Sequence, residues 1–160
     1  MNTFLPYPGF EQSAACLDWR RLGKQRLEAR QIITVLQATG QGFPDSKPRD
    51  VKIGWKNHPA VGMWRGHEPA LGAYLNACIQ EWLGRGYRNT MEMYPVGSDF
   101  AYPPWMGRRA FHASHRSNLL RKEPLWYGQF GWTERHDLPY VWPVQNTERN
   151  SHGTTPRPRV

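Results

Sequence analysis

The chain is poor in cysteine: Cys16 and Cys78 are the only two in 160 residues. Two thiols cannot build a disulfide framework or a cysteine-rich zinc site, and a reducing, cytosol-like compartment is the default for such a sequence. Long apolar runs are missing as well, and nothing approaches the ~18–20 residues that a membrane span needs. The opening Met-Asn-Thr-Phe-Leu-Pro-Tyr-Pro has no basic flank and no long apolar stretch, so it does not read as a signal peptide. Phosphate-cradling Gly-rich loops and Ser-His-Asp signatures are absent. His58, His67, His112 and His115 lack ligand-grade spacing with each other or with the cysteines, which argues against a metal site. Acidic residues are scarce: 13 Asp+Glu face 21 Lys+Arg, leaving a formal charge of +8.

What is present is arginine and aromatic surface. Sixteen of the 21 cations are Arg, and aromatics reach 13% with eight Trp. Arg meets phosphate with a planar fork of donors, whereas Lys acts as a point charge. Arg beside exposed rings is the chemistry of nucleic-acid surfaces, with ion pairs for phosphates and flat faces for bases. The plainer alternative is charge that serves solubility. A hydrophobic fraction of 39% is enough for a core in a chain of single-domain length.

Strand signals are weak throughout, and the pattern predicts an all-α domain over residues 1–142 with about three main helices and long Pro/Gly/aromatic loops. The first helical region spans about Glu11 to Thr39, with Asp18 placed to restart or cap it and Gly40 just past its end. Leu22, Ala29, Ile33 and Leu36 share one stripe, the expected core face. Segment 40–56 reads as an exposed loop. The second region opens at Asn57-His58-Pro59, with Asn as the expected cap. It passes through Trp64 and Arg65, breaks at Gly66, and resumes from Pro69 to Gly84–Gly86. The third helix runs from about Arg108 to Lys122 and stops at Pro124. Residues 143–160, with three prolines and almost no apolar side chain, are expected to be a disordered basic tail.

Two basic clusters carry candidate chemistry. On the first helix, Arg20, Arg21, Lys24, Gln25, Arg26 and Arg30 surround Glu28. Gln25 and Glu28 lie within about 40° of Arg21 around the helix, and Leu22, Ala29 and Ile33 lie roughly 100–140° away from Glu28. Glu28 therefore projects off the core face, among cations. Such a cluster is either a site or a solvated face laced with i,i+4 ion pairs. On the third helix, Arg108, Arg109, His112, His115, Arg116, Arg121 and Lys122 crowd together, as a phosphate clamp or as a plain basic face. Cys16 and Cys78 sit in apolar patterns and read as core residues. Most rings must be core in a domain of this size, with Trp105 or Trp126-Tyr127 as candidates to stack on a base.

Four stretches give the chain a family likeness. They are Leu17-Asp18 … Leu22 … Glu28, with Glu28 six residues after a leucine; Asn57-His58-Pro59; Arg85-Gly86-Tyr87; and Arg116, ten residues before Trp126-Tyr127. With these, the chain resembles the pyrimidine-dimer DNA glycosylases of the phage endonuclease V type, and more closely their short actinobacterial and phage branch. The likeness covers about residues 1–132. It implies a compact all-α enzyme acting on double-stranded DNA as glycosylase and AP lyase, without metal or organic cofactor. Such an enzyme would work as a monomer in a bacterial cytoplasm or phage-infected cell.

In such enzymes the α-amine of the first residue attacks the anomeric carbon and a glutamate assists, which points here to Glu28. An α-amine titrates near ~8, below a lysine, so a useful fraction is nucleophilic at neutral pH. Asn at position 2 usually blocks removal of an initiator Met. Met1 is therefore the expected amine, Asn2 if trimming occurs, and Lys24 the fallback. Expected DNA contacts are Arg20, Arg21, Gln25, Arg26, His58, Arg65, Arg108, Arg109, His112, His115, Arg116 and Arg121. The dense cations before Glu28 depart from the family pattern and leave open a modified pyrimidine or an abasic site as substrate. A non-catalytic basic DNA-binding protein is the alternative.

Overall fold

The computed structural model describes residues 1–46 and 54–143. Among the described residues six helices form in chain order: α1 (Phe10–Cys16), α2 (Trp19–Thr39), α3 (Pro59–Gly62), α4 (Glu68–Gly84), α5 (Arg109–Lys122) and α6 (Pro124–Tyr127). A short 3-10 turn, Gly128–Phe130, follows. No strand occurs among the described residues, so the fold is all-α, as the residue pattern predicts. None of these helices is long and apolar enough to cross a membrane. Residues 47–53 of the expected exposed loop 40–56, and residues 144–160 of the expected tail, lie outside the described residues.

The helix boundaries follow local chemistry. Asp18 does interrupt the first helical region: its carboxylate accepts the Arg21 N–H at 3.4 Å and caps α2. Gly40 closes α2 with φ 67°, the left-handed turn that glycine tolerates best. At α3 the cap is His58 rather than Asn57. The His58 Nδ1 accepts the Ala60 N–H at 3.0 Å, so the imidazole does what an Asn side chain was expected to do. Pro124 ends α5 and also opens α6, because a proline suits a first helical turn. The sequence pattern gave only the stop.

α2 packs on α4, and α1 closes one side of α4. The stripe of Leu22, Ala29, Ile33 and Leu36 is fully buried. Trp64, Tyr74 and Phe111 fill the centre, and Trp105 joins them with its Nε1 donating to the Met63 carbonyl at 3.0 Å. α6 is pinned at the α1–α2 junction. The Tyr127 hydroxyl lies 2.5 Å from Asp18 Oδ1, and Trp126 Nε1 donates to the Cys16 carbonyl at 2.8 Å. Burial opposes the charge on Asp18, but hydrogen bonds from Tyr127 and Arg21 hold its carboxyl below the usual range. Both cysteines are buried, and burial pushes their thiols up to about 12, as core residues rather than nucleophiles.

Gly72 lets the 87–97 loop seat on α4. A Cβ there would stand 2.1 Å from the Tyr94 ring, whose hydroxyl donates to the buried Glu68 at 2.9 Å. Gly72→Ala should therefore displace Tyr94 and destabilise the fold by about 1–3 kcal/mol, measured by urea denaturation. An unchanged midpoint would mean that the loop contributes nothing to stability.

Candidate active site

Residues 2–6 run through the protein with no regular secondary structure, and all five are buried. A buried peptide group must still find a partner, and here side chains supply it. The Phe4 N–H donates to Gln25 Oε1 at 2.8 Å and the Leu5 N–H to His115 Nδ1 at 2.9 Å. Gln25 Nε2 donates to the Asn2 carbonyl at 3.0 Å, and Arg116 to the Pro6 carbonyl at 2.7 Å. His112 Nε2 accepts the Gly107 N–H, so its proton sits on Nδ1, which donates to the Leu5 carbonyl at 2.7 Å. Thr3 is held through its hydroxyl, which accepts from Trp64 Nε1 at 3.0 Å.

Gln25 links this segment to Glu28. Its Oε1 accepts from Phe4 and from the Tyr74 hydroxyl, 2.6 Å away, while its Nε2 donates to the Asn2 carbonyl and to Glu28 Oε2 at 3.0 Å. Every hydrogen-bonding position of the amide is used, which fixes its orientation. The same Glu28 oxygen accepts the backbone N–H of Asn2 at 3.2 Å. One turn of α2 thus sets the start of the chain against a carboxylate.

Around this junction opens a cleft of about 530 Å³. Met1, Asn2 and Glu28 line it, together with the cations Arg20, Arg21, Lys24 and Lys122 and the rings of His58, Tyr140 and Trp142. Burial and the positive N-terminus push the His58 imidazole below its ordinary value, with Glu28 acting in the opposite sense. The cations can attract an anionic group to this cleft, and a carboxylate such as Glu28 can stabilise positive charge beside it.

The family model for pyrimidine dimer DNA glycosylase matches residues 1–95. The chain belongs to this family. No curated protein and no solved structure matches it significantly. Family membership makes DNA the substrate and base removal the chemistry. The match takes in the chain start, Gln25, Glu28 and His58, and ends before α5.

In this glycosylase the expected site residues, catalytic and DNA-binding, divide into two groups. Arg20, Arg21, Lys24, Gln25 and His58 meet at the cleft with Met1, Asn2 and Glu28. Gln25 itself is 1% exposed, so it braces the site from inside rather than offering a surface to DNA. The third-helix clamp does not assemble. His112 and His115 are buried beneath the chain start, where they hold the Leu5 peptide, and they present no face to a phosphate. Arg116 is bound to Pro6 and to Glu134 at 2.6 Å, and Arg121 to Asn118. Arg108 and Arg109 stand at the opposite end of α5 from Lys122, about 20 Å along the axis. Arg26 lies on the Trp82 ring, 4.2 Å from its centroid, and donates to Asn89 at 2.6 Å. Arg65 binds Gln41 and the Lys56 carbonyl.

Among the rings, Trp105 and Tyr127 are core, while Trp126 is part-exposed but tied to Cys16. Of the third-helix cluster only Lys122 lines the cleft, and the cleft rings Tyr140 and Trp142 are not marked for the site by the sequence pattern. Only the chain's return path brings the two rings to Glu28, and nothing in the local pattern marks that path.

Burial pushes His115 down to about 3 and also holds His112 below its ordinary value. An imidazole that is neutral in the fold but protonated once unfolded makes unfolding take up protons. Stability is then complete above about 6.5, falls as pH drops below it, and keeps falling toward 3. The limiting slope is about 1.4 kcal/mol per pH unit for each histidine. Denaturation of wild type and His115→Gln from pH 7.5 to 4.5 should show a steeper decline in wild type. Equal slopes would remove His115 from the acid response.

Proposed function

We propose that this glycosylase removes a pyrimidine from duplex DNA through an imine formed on its own α-amine and then cleaves the strand as an AP lyase. The observation that carries the reading is the 3.2 Å contact between the Asn2 backbone nitrogen and Glu28 Oε2 at the wall of a cationic cleft. The nucleophile is the α-amine of Met1, which lines that cleft. Were Met1 removed, the α-amine of Asn2 would take the position beside Glu28. The buried segment behind it holds the terminus in place, so orientation is settled before substrate arrives.

The chemistry follows from those groups. The amine lone pair forms a bond to C1′ while the glycosidic bond breaks and the pyrimidine departs with the electron pair. Nitrogen loses a proton, and its lone pair then expels O4′, which leaves C1′ with the bonding pair and takes up a proton, to give the iminium. A proton then leaves C2′, the C3′–O bond breaks, and the phosphate departs with that pair. Hydrolysis of the imine frees the amine. Glu28 faces the position where positive charge grows, which stabilises the cationic sugar and the iminium, and it accepts and returns protons. Arg20, Arg21, Lys24 and Lys122 hold the flanking phosphates, and that attraction offsets the few kcal/mol that distorting the duplex costs. The protein acts as a monomer.

Borohydride trapping on a duplex bearing a thymine dimer or an abasic site tests the mechanism. Wild type should yield a covalent band that maps to the first residue. Glu28→Gln should lose the band by at least 100-fold while keeping its DNA affinity. Two extra residues ahead of Met1 should also abolish it without weakening binding. If the extended protein trapped as well as wild type, the α-amine would be excluded and Lys24 would become the nucleophile to test. If no band formed despite tight binding, the lyase reading would fail.

A further inference from the structure

The corner where α6 meets the α1–α2 junction leaves large apolar side chains in water. Trp19, the first residue of α2, is 55% exposed, Leu125 is 91% exposed and Trp126 is 39% exposed. The corner is clamped. Trp126 Nε1 donates to the Cys16 carbonyl, and the Tyr127 hydroxyl accepts the Asp18 N–H at 3.1 Å, one residue before Trp19. Leu125 lies about 200° around α6 from Tyr127, so fixing Tyr127 in the fold turns Leu125 outward. The same corner borders the cleft. Arg20 and Arg21 follow Trp19, Lys122 and Glu123 precede Leu125, and all four line the cleft. The Arg20 guanidinium stands 5.4 Å from the centroid of the Trp19 ring. Neither Arg20 nor Lys122 forms an ion pair among the described residues.

We infer that Trp19 and Leu125 form an apolar ledge for the duplex arm beside the lesion. Their side chains pack on deoxyribose faces while Arg20 and Lys122 meet the neighbouring phosphates. Two observations favour DNA as the occupant. The family fixes DNA as the substrate, and the ledge continues directly from the cleft that receives it. Unpaired cations next to an exposed ring and an exposed leucine also match a nucleotide backbone, in which an apolar sugar face alternates with an anionic phosphate. An apolar peptide would leave those cations without partners. Every nucleotide carries the same sugar, so the ledge adds affinity without reading sequence or lesion. The inference requires DNA as substrate and does not require the imine.

The test reads duplex affinity by fluorescence anisotropy, in a Glu28→Gln background at 4 °C with the duplex verified intact afterwards. Trp19→Ala and Leu125→Ala should each weaken binding about fivefold, the scale of leaving about 40 Å² of apolar surface in water. Trp19→Phe should recover most of the loss. The loss should agree within about twofold between an undamaged duplex and one with a thymine dimer. The slope of log affinity against log salt should stay that of the parent, whereas Lys122→Ala should make it shallower by about 1. Unchanged affinity on both duplexes overturns the inference. So does a loss confined to the dimer duplex, or one that flattens the salt slope. Unchanged affinity, together with a wild-type self-association in sedimentation that Trp19→Ala abolishes, would overturn it in favour of a second copy of the chain at this corner. The comparison reads binding alone, so a failed borohydride trap would sink the imine mechanism without touching it.

Discussion

The structure depends on one constraint: a stretch of chain is buried without a strand beside it. Four peptide N–H groups, those of residues 2–5, leave water there, and an unpaired one would cost about 1–3 kcal/mol. The partners come from three sources. Gln25 and Glu28 stand on α2, His115 on α5, and the Asn2 side chain itself accepts the Thr3 N–H at 2.8 Å. Because these partners belong to different helices, the segment also ties those helices together. Moving the terminus would leave polar groups on α2 and α5 unpaired, so it is held as firmly as a core element. A segment that is usually a frayed end is thereby held in a defined position beside Glu28.

That constraint explains how the cations are shared out. A net charge of +8 suggests one continuous basic face, but the charges serve two purposes. Arg116 accounts for the Pro6 carbonyl, Arg85 for carbonyls at the end of α1, and Arg26 covers Trp82. Arg suits this bracing because its rigid fork can satisfy a carbonyl or a carboxylate, or lie flat on a ring. The charges around the cleft come from one turn at the start of α2 and from the end of α5. The field at Glu28 is local, set by a few side chains, while Arg26, Arg85 and Arg116 act as structural donors.

The aromatic residues divide in the same way. Trp64, Tyr74, Trp105 and Phe111 build the core, each with its polar atom satisfied where it has one. Trp126 and Tyr127 lock α6 to the α1–α2 junction through Cys16 and Asp18. Tyr140 and Trp142 belong to neither set. Their segment is held by backbone bonds to Ser114, Ser117 and Asn118, and the rings pack against the core on one side while lining the cleft. These two rings lie well past the residues that the family model matches, on a cleft whose Glu28 lies within them.

The sequence by itself determined what depends on near neighbours. The stripe Leu22, Ala29, Ile33 and Leu36 predicted the buried face of α2, Asp18 and Gly40 predicted its ends, and the same periodicity placed Glu28 off the core among cations. Those features repeat every turn or act within one, so they are written locally. The tertiary structure decided what depends on contacts across a hundred residues. His112 and His115 look like a basic helix face, yet they are buried because Leu5, more than a hundred positions earlier, needs an acceptor and a donor there. Gln25 looks like a surface polar residue of the Arg21 face, yet Phe4 and Asn2 draw it inside. Tyr140 and Trp142 reach the cleft only because the chain folds back along α5. A side chain's spacing records which helix face it occupies, but burial on that face is decided by whichever distant segment arrives to cover it.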